Sequence, residues 1–174
     1  MNNDLDLTKR RPHSEIEKHA DLAHQRAAGV PLSAEVRMSI LIKHNAWLLH
    51  DLLNRTVEPH GISAVAYMTM MTLQSMPGHL ANPSELCVAT KETRSNMTRI
   101  TDELVDKGLI RRVPNEEDRR RVDLSLTDAG MQLLRTVVPM IRAKMQTVFS
   151  AFTDESKAAL ELELIKLKQV LENN

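Results

Sequence analysis

Residues 113–127 have the sequence VPNEEDRRRVDLSLT, which combines a charged loop, a short strand pattern and a helix start. Three consecutive arginines at 119–121 end the loop, and residues 122–126 alternate between apolar and polar side chains. With residues 109–113 as a first strand, this pattern predicts a basic β-hairpin. Such a hairpin is suited to contacts with a nucleic-acid backbone and groove. Its charge alone is equally compatible with a solvated surface hairpin.

Two short helices of helix-turn-helix size are predicted just before the hairpin. Asn82 and Thr93 are their expected N-caps, and Gly108 follows the end of the second helix. The apolar residues of the second helix recur at spacings of three or four, so they predict a single buried face. These apolar residues are Met97, Ile100 and Leu104.

The opposite face of the second helix is polar, and in a helix-turn-helix protein it would enter the major groove of DNA. Asn96 suits adenine and Arg99 suits guanine, whereas serine and threonine hydroxyls suit phosphates. The candidate DNA contacts are Arg94, Ser95, Asn96, Thr98, Arg99, Arg119, Arg120 and Arg121. The three wing arginines are expected to insert into, or lie along, the minor groove. Any exposed amphipathic helix carries such polar residues, so the interpretation depends on two helices and a basic hairpin occurring in this order.

Long helices are predicted on both sides of this central unit. The sequence divides into a disordered tail at 1–13, an extra helix at 14–30, dimerisation helices at 33–62 and 127–172, and a winged helix-turn-helix domain at 63–126. A helix at about 64–76 carries Val65, Met68, Met71 and Leu73 as its apolar residues. The flanking helices have more apolar surface than the central unit can cover, and a twofold contact with a second copy would bury it. The predicted fold is mostly α, with a small β-hairpin wing.

Composition excludes several classes of function. Lysine plus arginine equals aspartate plus glutamate at 23 each, so net charge indicates no partner. Aromatic residues make up only 2% of the chain, which argues against a module that stacks single-stranded bases. The single cysteine excludes an internal disulfide framework, and nothing resembles a phosphate-binding loop or a nucleophile elbow. We therefore expect no catalytic residues, no metal and no cofactor. The charged N-terminus and the lack of a long apolar run favour a cytoplasmic protein without membrane contact.

Residues 114–130, PNEEDRRRVDLSLTDAG, resemble the wing of the MarR family, in which D-x-R is followed by a strand and L-T-x-x-G. The helix that begins TRSNMTRI at residue 93, and the KGLI that follows it at 107–110, are also similar. Together with PSEL at 83–86, they look closest to the multidrug-efflux regulator (EmrR-like) branch of that family. The resemblance spans about residues 33–172 and implies a homodimer that binds a pseudo-palindromic operator in double-stranded DNA, usually as a repressor. It carries Asp118 and Arg120 over as the wing pair, with Asp118 shaping the turn and Arg120 in the minor groove. Arg119 and Arg121 are then accessory.

The resemblance also implies a ligand cleft between the long N-terminal helices and the winged domain. A ligand there would change the spacing of the two recognition helices, whose half-sites lie roughly 34 Å apart. We expect a small-molecule effector, an aromatic carboxylate or a phenolic compound. The candidate cleft residues are His44, Trp47, His50, Tyr67, Met68 and Met71. Residues of these types at helical spacing are also typical of a core or a dimer interface.

Two further functions remain open at this point. Cys87 could sense oxidation, although a lone cysteine before a recognition helix is more often a small buried residue. A winged helix can also bind protein instead of DNA. The basic residues on both the second helix and the hairpin argue against that alternative, because a protein-binding variant would not need both.

Overall fold

The computed structural model describes residues 15–115 and 121–173. This part of the chain is mostly helical and contains one small antiparallel sheet, which confirms the predicted fold class. In chain order the elements are α1 (Glu15–Ala28), α2 (Ala34–Val57), α3 (Ala64–Ser75), β1 (Leu80–Ala81), α4 (Pro83–Thr90), α5 (Arg94–Asp106), β2 (Ile110–Pro114), β3 (Val122–Leu126), α6 (Asp128–Phe149) and α7 (Asp154–Glu172).

Side-chain caps begin the helices where the sequence predicts them. The amide oxygen of Asn82 accepts hydrogen bonds from the backbone N–H groups of Ser84 and Glu85. In return, the Glu85 carboxylate accepts a hydrogen bond from the backbone N–H of Asn82, and this reciprocal pair forms a capping box. The hydroxyls of Ser63 and Thr93 accept the equivalent bonds at the starts of α3 and α5. These bonds satisfy N–H groups that have no partner within the helix.

The predicted hairpin is formed by β2 and β3, which pair antiparallel from Ile110 opposite Leu126 to Pro114 opposite Val122. A third strand, β1, pairs with the other edge of β3, so the strand order is β1-β3-β2. Strand β1 was not predicted, because a two-residue strand has no periodicity to detect. The first hairpin strand begins at Ile110 and not at Leu109, whose carbonyl instead accepts a hydrogen bond from the backbone N–H of Thr127.

The L-T-x-x-G pattern joins the turn after α5 to the start of α6. The Thr127 hydroxyl lies 2.6 Å from the carbonyl oxygen of Gly108 and accepts a hydrogen bond from the backbone N–H of Gly130. Gly130 is buried, and a Cβ at this position would lie 2.1 Å from the carbonyl oxygen of Leu109. The close approach of two backbones therefore requires glycine here.

The described residues form two compact units, and α2 and α6 each contribute to both. One unit comprises residues 49–143 and contains the hydrophobic core, which includes buried residues of α3, α4, α5, the sheet and α6. Within α3, the structure buries Met70, which the sequence analysis did not name, and leaves Met68 47% exposed. Because α3 is apolar on nearly every side, its periodicity does not indicate which face is buried.

The other unit comprises residues up to 48 together with residues from 144 onward. Within it, the backbone N–H of Leu32 donates to the Asp21 carboxylate at 2.9 Å and ties the start of α2 to α1. Many large apolar side chains of this unit are exposed in the single chain. They include Met38, Leu41, Ile42, Trp47, Leu48, Leu162, Leu164, Ile165, Val170 and Leu171. Among the helices that the structure describes, none combines the length and apolarity needed to cross a membrane.

Candidate nucleic-acid interface

The turn between α4 and α5 sets the direction of the second helix. Lys91 adopts the left-handed conformation with φ of 58°, and its backbone N–H and that of Glu92 both donate to the carbonyl oxygen of Cys87. This arrangement satisfies a carbonyl at the end of α4 and lets Thr93 cap α5 two residues later. The two helices are therefore held by a short turn of defined conformation, as a helix-turn-helix requires.

The helix α5 has one buried face and one exposed face, as predicted. Met97, Ile100 and Leu104 are completely buried in the core. Arg94, Ser95, Thr98 and Arg99 are exposed at the N-terminal half of the helix, and Asn96 is partly exposed. The structure thus brings all five sequence-predicted residues of this helix to one end of α5, outside the core.

A hydrogen-bonded chain links the two side chains that the sequence assigns to base contacts. The Asn96 Nδ2 donates to the Glu92 carboxylate at 2.7 Å, and an Arg99 Nη donates to the Asn96 Oδ1 at 3.0 Å. The other Arg99 Nη lies 3.4 Å from a Glu103 carboxylate oxygen. Sequence analysis missed both acidic partners. The spacing of 96, 99 and 103, which places them along one side of α5, was the signal available for Glu103, whereas Glu92 lies in the turn before the helix.

Ion pairs join the C-terminal half of α5 to neighbouring segments. Asp102, which projects outward from α5, pairs with Arg112 on β2. Lys107 binds both the Glu103 carboxylate, at 2.6 Å, and the carbonyl oxygen of Gly61 in the turn before α3. Asp102 and Arg112 are each about half exposed, so this pair adds little to stability. Its effect is to orient the hairpin strand on α5 and to neutralise a carboxylate beside the exposed basic end of the helix.

The base of the wing is held by contacts between its two strands. The backbone N–H of Asn115 donates to the carbonyl oxygen of Arg121, which extends the strand pairing by one step. The Asn115 amide donates to the Asp123 carboxylate at 2.7 Å, and Asp123 is only 8% exposed. Arg121 is itself exposed. The other predicted wing residues, Asp118, Arg119 and Arg120, lie outside the described residues, so their roles stay predictions.

The six candidate effector residues divide between the two units. In the unit that includes residues 15–48, the rings of His44 and Trp47 stack with centroids 6.1 Å apart and planes 15° apart, and Trp47 is 60% exposed. In the unit 49–143, Tyr67 belongs to the core, and its burial raises the pKa of its hydroxyl. Three other candidates of this unit are more accessible than Tyr67, and these are His50, Met68 and Met71. Binding of an effector by any of these residues stays a prediction.

Cys87 lies on α4, where it is partly buried and packs against the core. This position agrees with a small core-facing residue, and no other cysteine exists in the chain to form a disulfide with it. Across the described parts of the chain, no three histidine, cysteine, aspartate or glutamate side chains are grouped so that they could hold a metal ion.

Comparisons with known proteins connect this geometry to one family. A family model described as the MarR family matches residues 60–121, which run from the turn before α3 to the residue before β3. The transcriptional repressor MprA of Escherichia coli strain K12 is 33% identical over 144 residues, which cover 83% of this chain and 77% of that protein. MprA is EmrR-like, in agreement with the branch that the sequence resembles.

Solved structures of similar fold include proteins in complex with DNA. Sco3205, a MarR family transcriptional regulator from Streptomyces coelicolor crystallised in complex with DNA, matches with a TM-score of 0.71 and 27% identity, covering 80% of this chain and 89% of that one. A mutant of MarR from Escherichia coli complexed with operator DNA matches with a TM-score of 0.69 and 26% identity, covering 76% and 94% of the two chains.

Proposed function

The chain belongs to the MarR family of DNA-binding transcriptional regulators, and from this premise we propose that it is a homodimeric repressor that binds a pseudo-palindromic operator through α5 and the wing. Membership of this family also supports the expectation that the chain is not an enzyme. The effector that would release it from DNA is proposed separately below, because it rests on different residues.

The observation that carries the proposal is the division of α5 into two faces. Its buried face anchors the helix in the core, so the exposed residues of its first two turns keep a fixed position relative to the domain. Short polar side chains at the start of a recognition helix permit close approach to base edges. Asn96 and Arg99 would contact bases, whereas Ser95, Thr98 and Arg94 would contact phosphates or mixed targets.

The wing is proposed to contribute positive charge at the minor groove. Arg120 is the proposed groove residue, with Arg119 and Arg121 beside it and Asp118 shaping the turn. Support comes from the base of the wing, where the contact between Asn115 and Asp123 fixes the two strands that would project the loop. A narrow minor groove concentrates negative potential, which favours arginine over other side chains.

A second copy of the chain is proposed to cover the exposed apolar surface of the unit that contains α7. The end of α6 and one side of α7 form a groove of about 350 Å³, and its apolar lining includes Phe149, Leu160, Leu164 and Ile165. Exposed apolar surface of this extent is typical of an interface between subunits. A Leu164→Glu variant should shift sedimentation from dimer to monomer, whereas Lys166→Glu, a surface charge change on the same helix, should leave the dimer intact. A dimeric Leu164→Glu protein would contradict this placement.

DNA binding can be tested by fluorescence anisotropy with the duplex that flanks the gene. We expect specific binding that weakens steeply with salt, since each phosphate contact releases a counterion. An Arg120→Ala variant should weaken binding to all duplexes and make the salt slope shallower, whereas Asn96→Ala should relax sequence preference by about 1–3 kcal/mol for a lost base contact. Flat, salt-insensitive curves for the wild-type protein would overturn the proposal and favour a protein-binding winged helix.

A small aromatic carboxylate or phenol is the proposed effector. The exposed His44–Trp47 stack supports this, because a flat aromatic ligand can extend the stack and a histidine can meet its anionic group. Trp47 is the single tryptophan, so quenching of its fluorescence by a panel of such compounds reports binding at that place. Compounds that quench should also release the operator. If none of the panel quenches Trp47 or weakens DNA binding, the effector proposal fails while the DNA-binding proposal is unaffected.

A further inference from the structure

Three side chains form one hydrogen-bonded chain along the turn before α5 and the first two turns of that helix. The Glu92 carboxylate accepts from Asn96 Nδ2 at 2.7 Å, and Asn96 Oδ1 accepts from Arg99 at 3.0 Å. The second half of the Arg99 guanidinium faces Glu103. Asn96, Arg99 and Glu103 are spaced by three and four on α5, so their contacts follow from ordinary helix geometry, whereas Glu92 reaches Asn96 from the turn before the N-cap Thr93.

The chemistry of the two neighbours fixes the orientation of the Asn96 amide. A carboxylate only accepts hydrogen bonds and a guanidinium only donates them, so the amide nitrogen must face Glu92 and the amide oxygen must face Arg99. Rotating the amide by 180° would set two acceptors against each other and two donors against each other. In the observed orientation the nitrogen keeps a second N–H and the oxygen keeps a second lone pair. One donor and one acceptor are what a bidentate contact with adenine needs.

Glu92 is held in place independently of the side chains that it orients. Its backbone N–H donates to the carbonyl oxygen of Cys87 at 3.1 Å, directly after the left-handed residue Lys91. The residue is also partly buried, which restricts the volume open to its side chain. The carboxylate is therefore presented by a turn of defined conformation.

We infer that Glu92 is a positioning residue for base recognition, which acts by fixing the amide of Asn96 and, through it, the guanidinium of Arg99. The inference rests on the proposed DNA binding and assigns Glu92 no contact with DNA. A carboxylate near phosphates opposes binding to any duplex, since it repels the backbone. Its removal should therefore act in opposite directions on the two measurable affinities. Affinity for unrelated DNA should hold or rise, while preference for the operator should fall.

The test compares Glu92→Ala with Asp106→Ala, in anisotropy titrations of the full-length protein on an operator duplex, single-base variants of it and an unrelated duplex. Asp106 is an exposed carboxylate at the C-terminal end of α5, so its variant removes the same charge from the opposite end of the helix, away from Asn96. We expect the preference for adenine over other bases at one half-site position to fall roughly tenfold in Glu92→Ala only. Glu92→Gln keeps an acceptor oxygen and should retain most of the preference.

A double variant separates positioning from a general effect on the helix. In the Asn96→Ala background, Glu92→Ala should cause no further loss of base preference, because the group that it orients is already absent. Three results would each overturn the inference. Glu92→Ala could keep the wild-type preference for adenine, or the double variant could lose more preference than Asn96→Ala alone. The third result is that Glu92→Ala lowers affinity for the operator and for the unrelated duplex by the same factor. If the wild-type protein shows no preference among duplexes, the proposed function is overturned as well. If the wild-type protein prefers the operator, only the role assigned to Glu92 fails.

Discussion

Replacing Gly130 by alanine is expected to destabilise the protein, although alanine is the better helix former. A Cβ at Gly130 would lie 2.1 Å from the carbonyl oxygen of Leu109, and real Cβ contacts essentially never fall under 3.0 Å. The two backbones must therefore separate by about 0.9 Å at this point, since packed segments cannot overlap. The strain falls where the turn after α5, the hairpin and α6 meet, so it should affect the whole winged unit.

The expected magnitude follows from the contacts that the separation would disturb. The backbone N–H and the hydroxyl of Thr127 donate to the carbonyl oxygens of Leu109 and Gly108, and each such bond contributes about 1 kcal/mol. Overpacking destabilises the native state by a further amount of about 1–3 kcal/mol. The better helix propensity of alanine offsets about 1 kcal/mol of this loss. The net loss in the free energy of unfolding is about 2–4 kcal/mol, which corresponds to a fall in Tm of roughly 4–16 °C for a chain of this length.

The assay is urea and thermal unfolding followed by circular dichroism, at one fixed protein concentration because subunit association would also shift Tm. Ala129→Gly is the matched control, since it makes the opposite change at the exposed neighbouring position and should cost no more than about 1 kcal/mol. The sign of the effect decides the outcome. A Gly130→Ala protein as stable as the wild type, or more stable, would mean that helix propensity outweighs the clash, and the close approach of the two backbones would be refuted.

Three further outcomes are expected. Asn82→Ala removes the side-chain acceptor of the capping box on α4 and should lower the free energy of unfolding by about 1 kcal/mol in urea titrations; an unchanged midpoint would contradict the role of the cap. Arg112→Ala leaves Asp102 unpaired beside the proposed DNA surface, so anisotropy should show weaker binding to all duplexes. Adding Asp102→Asn should restore the affinity. Unchanged affinity in both variants would mean that the pair lies too far from DNA to affect binding. Burial raises the pKa of Tyr67 above its ordinary value near 10, so the native state holds the hydroxyl proton more tightly than the unfolded chain does. The resulting contribution to the free energy of unfolding is present below about pH 10 and is lost as pH rises further. Tyr67 is the single tyrosine, so absorbance at 295 nm should show a higher midpoint for the folded chain than for the chain in urea, and equal midpoints would contradict the assignment.

Local sequence signals predicted most of the helix starts and the hairpin. A serine, threonine or asparagine before an apolar periodic run marks a helix start through its own hydrogen bonds, and the caps at Asn82 and Thr93 form as predicted. The buried face of α5 was also predicted correctly, because its apolar residues are sparse enough to define one side. The opposite case is α3, which is apolar on most sides and gave no usable periodicity.

The amino-acid sequence by itself determined the family, the order of the elements and the polar face proposed to meet DNA, since each depends on residues close together in the chain. Tertiary structure decided the contacts between segments distant in sequence. It pairs Arg112 with Asp102, ties Lys107 to the carbonyl of Gly61, and brings Leu109 so close to α6 that position 130 must be glycine. Local propensity and periodicity do not encode such contacts, because their distances depend on how the helices and the sheet pack around one core. Thr127 and Gly130 thus hold the start of α6 against the turn that precedes the hairpin.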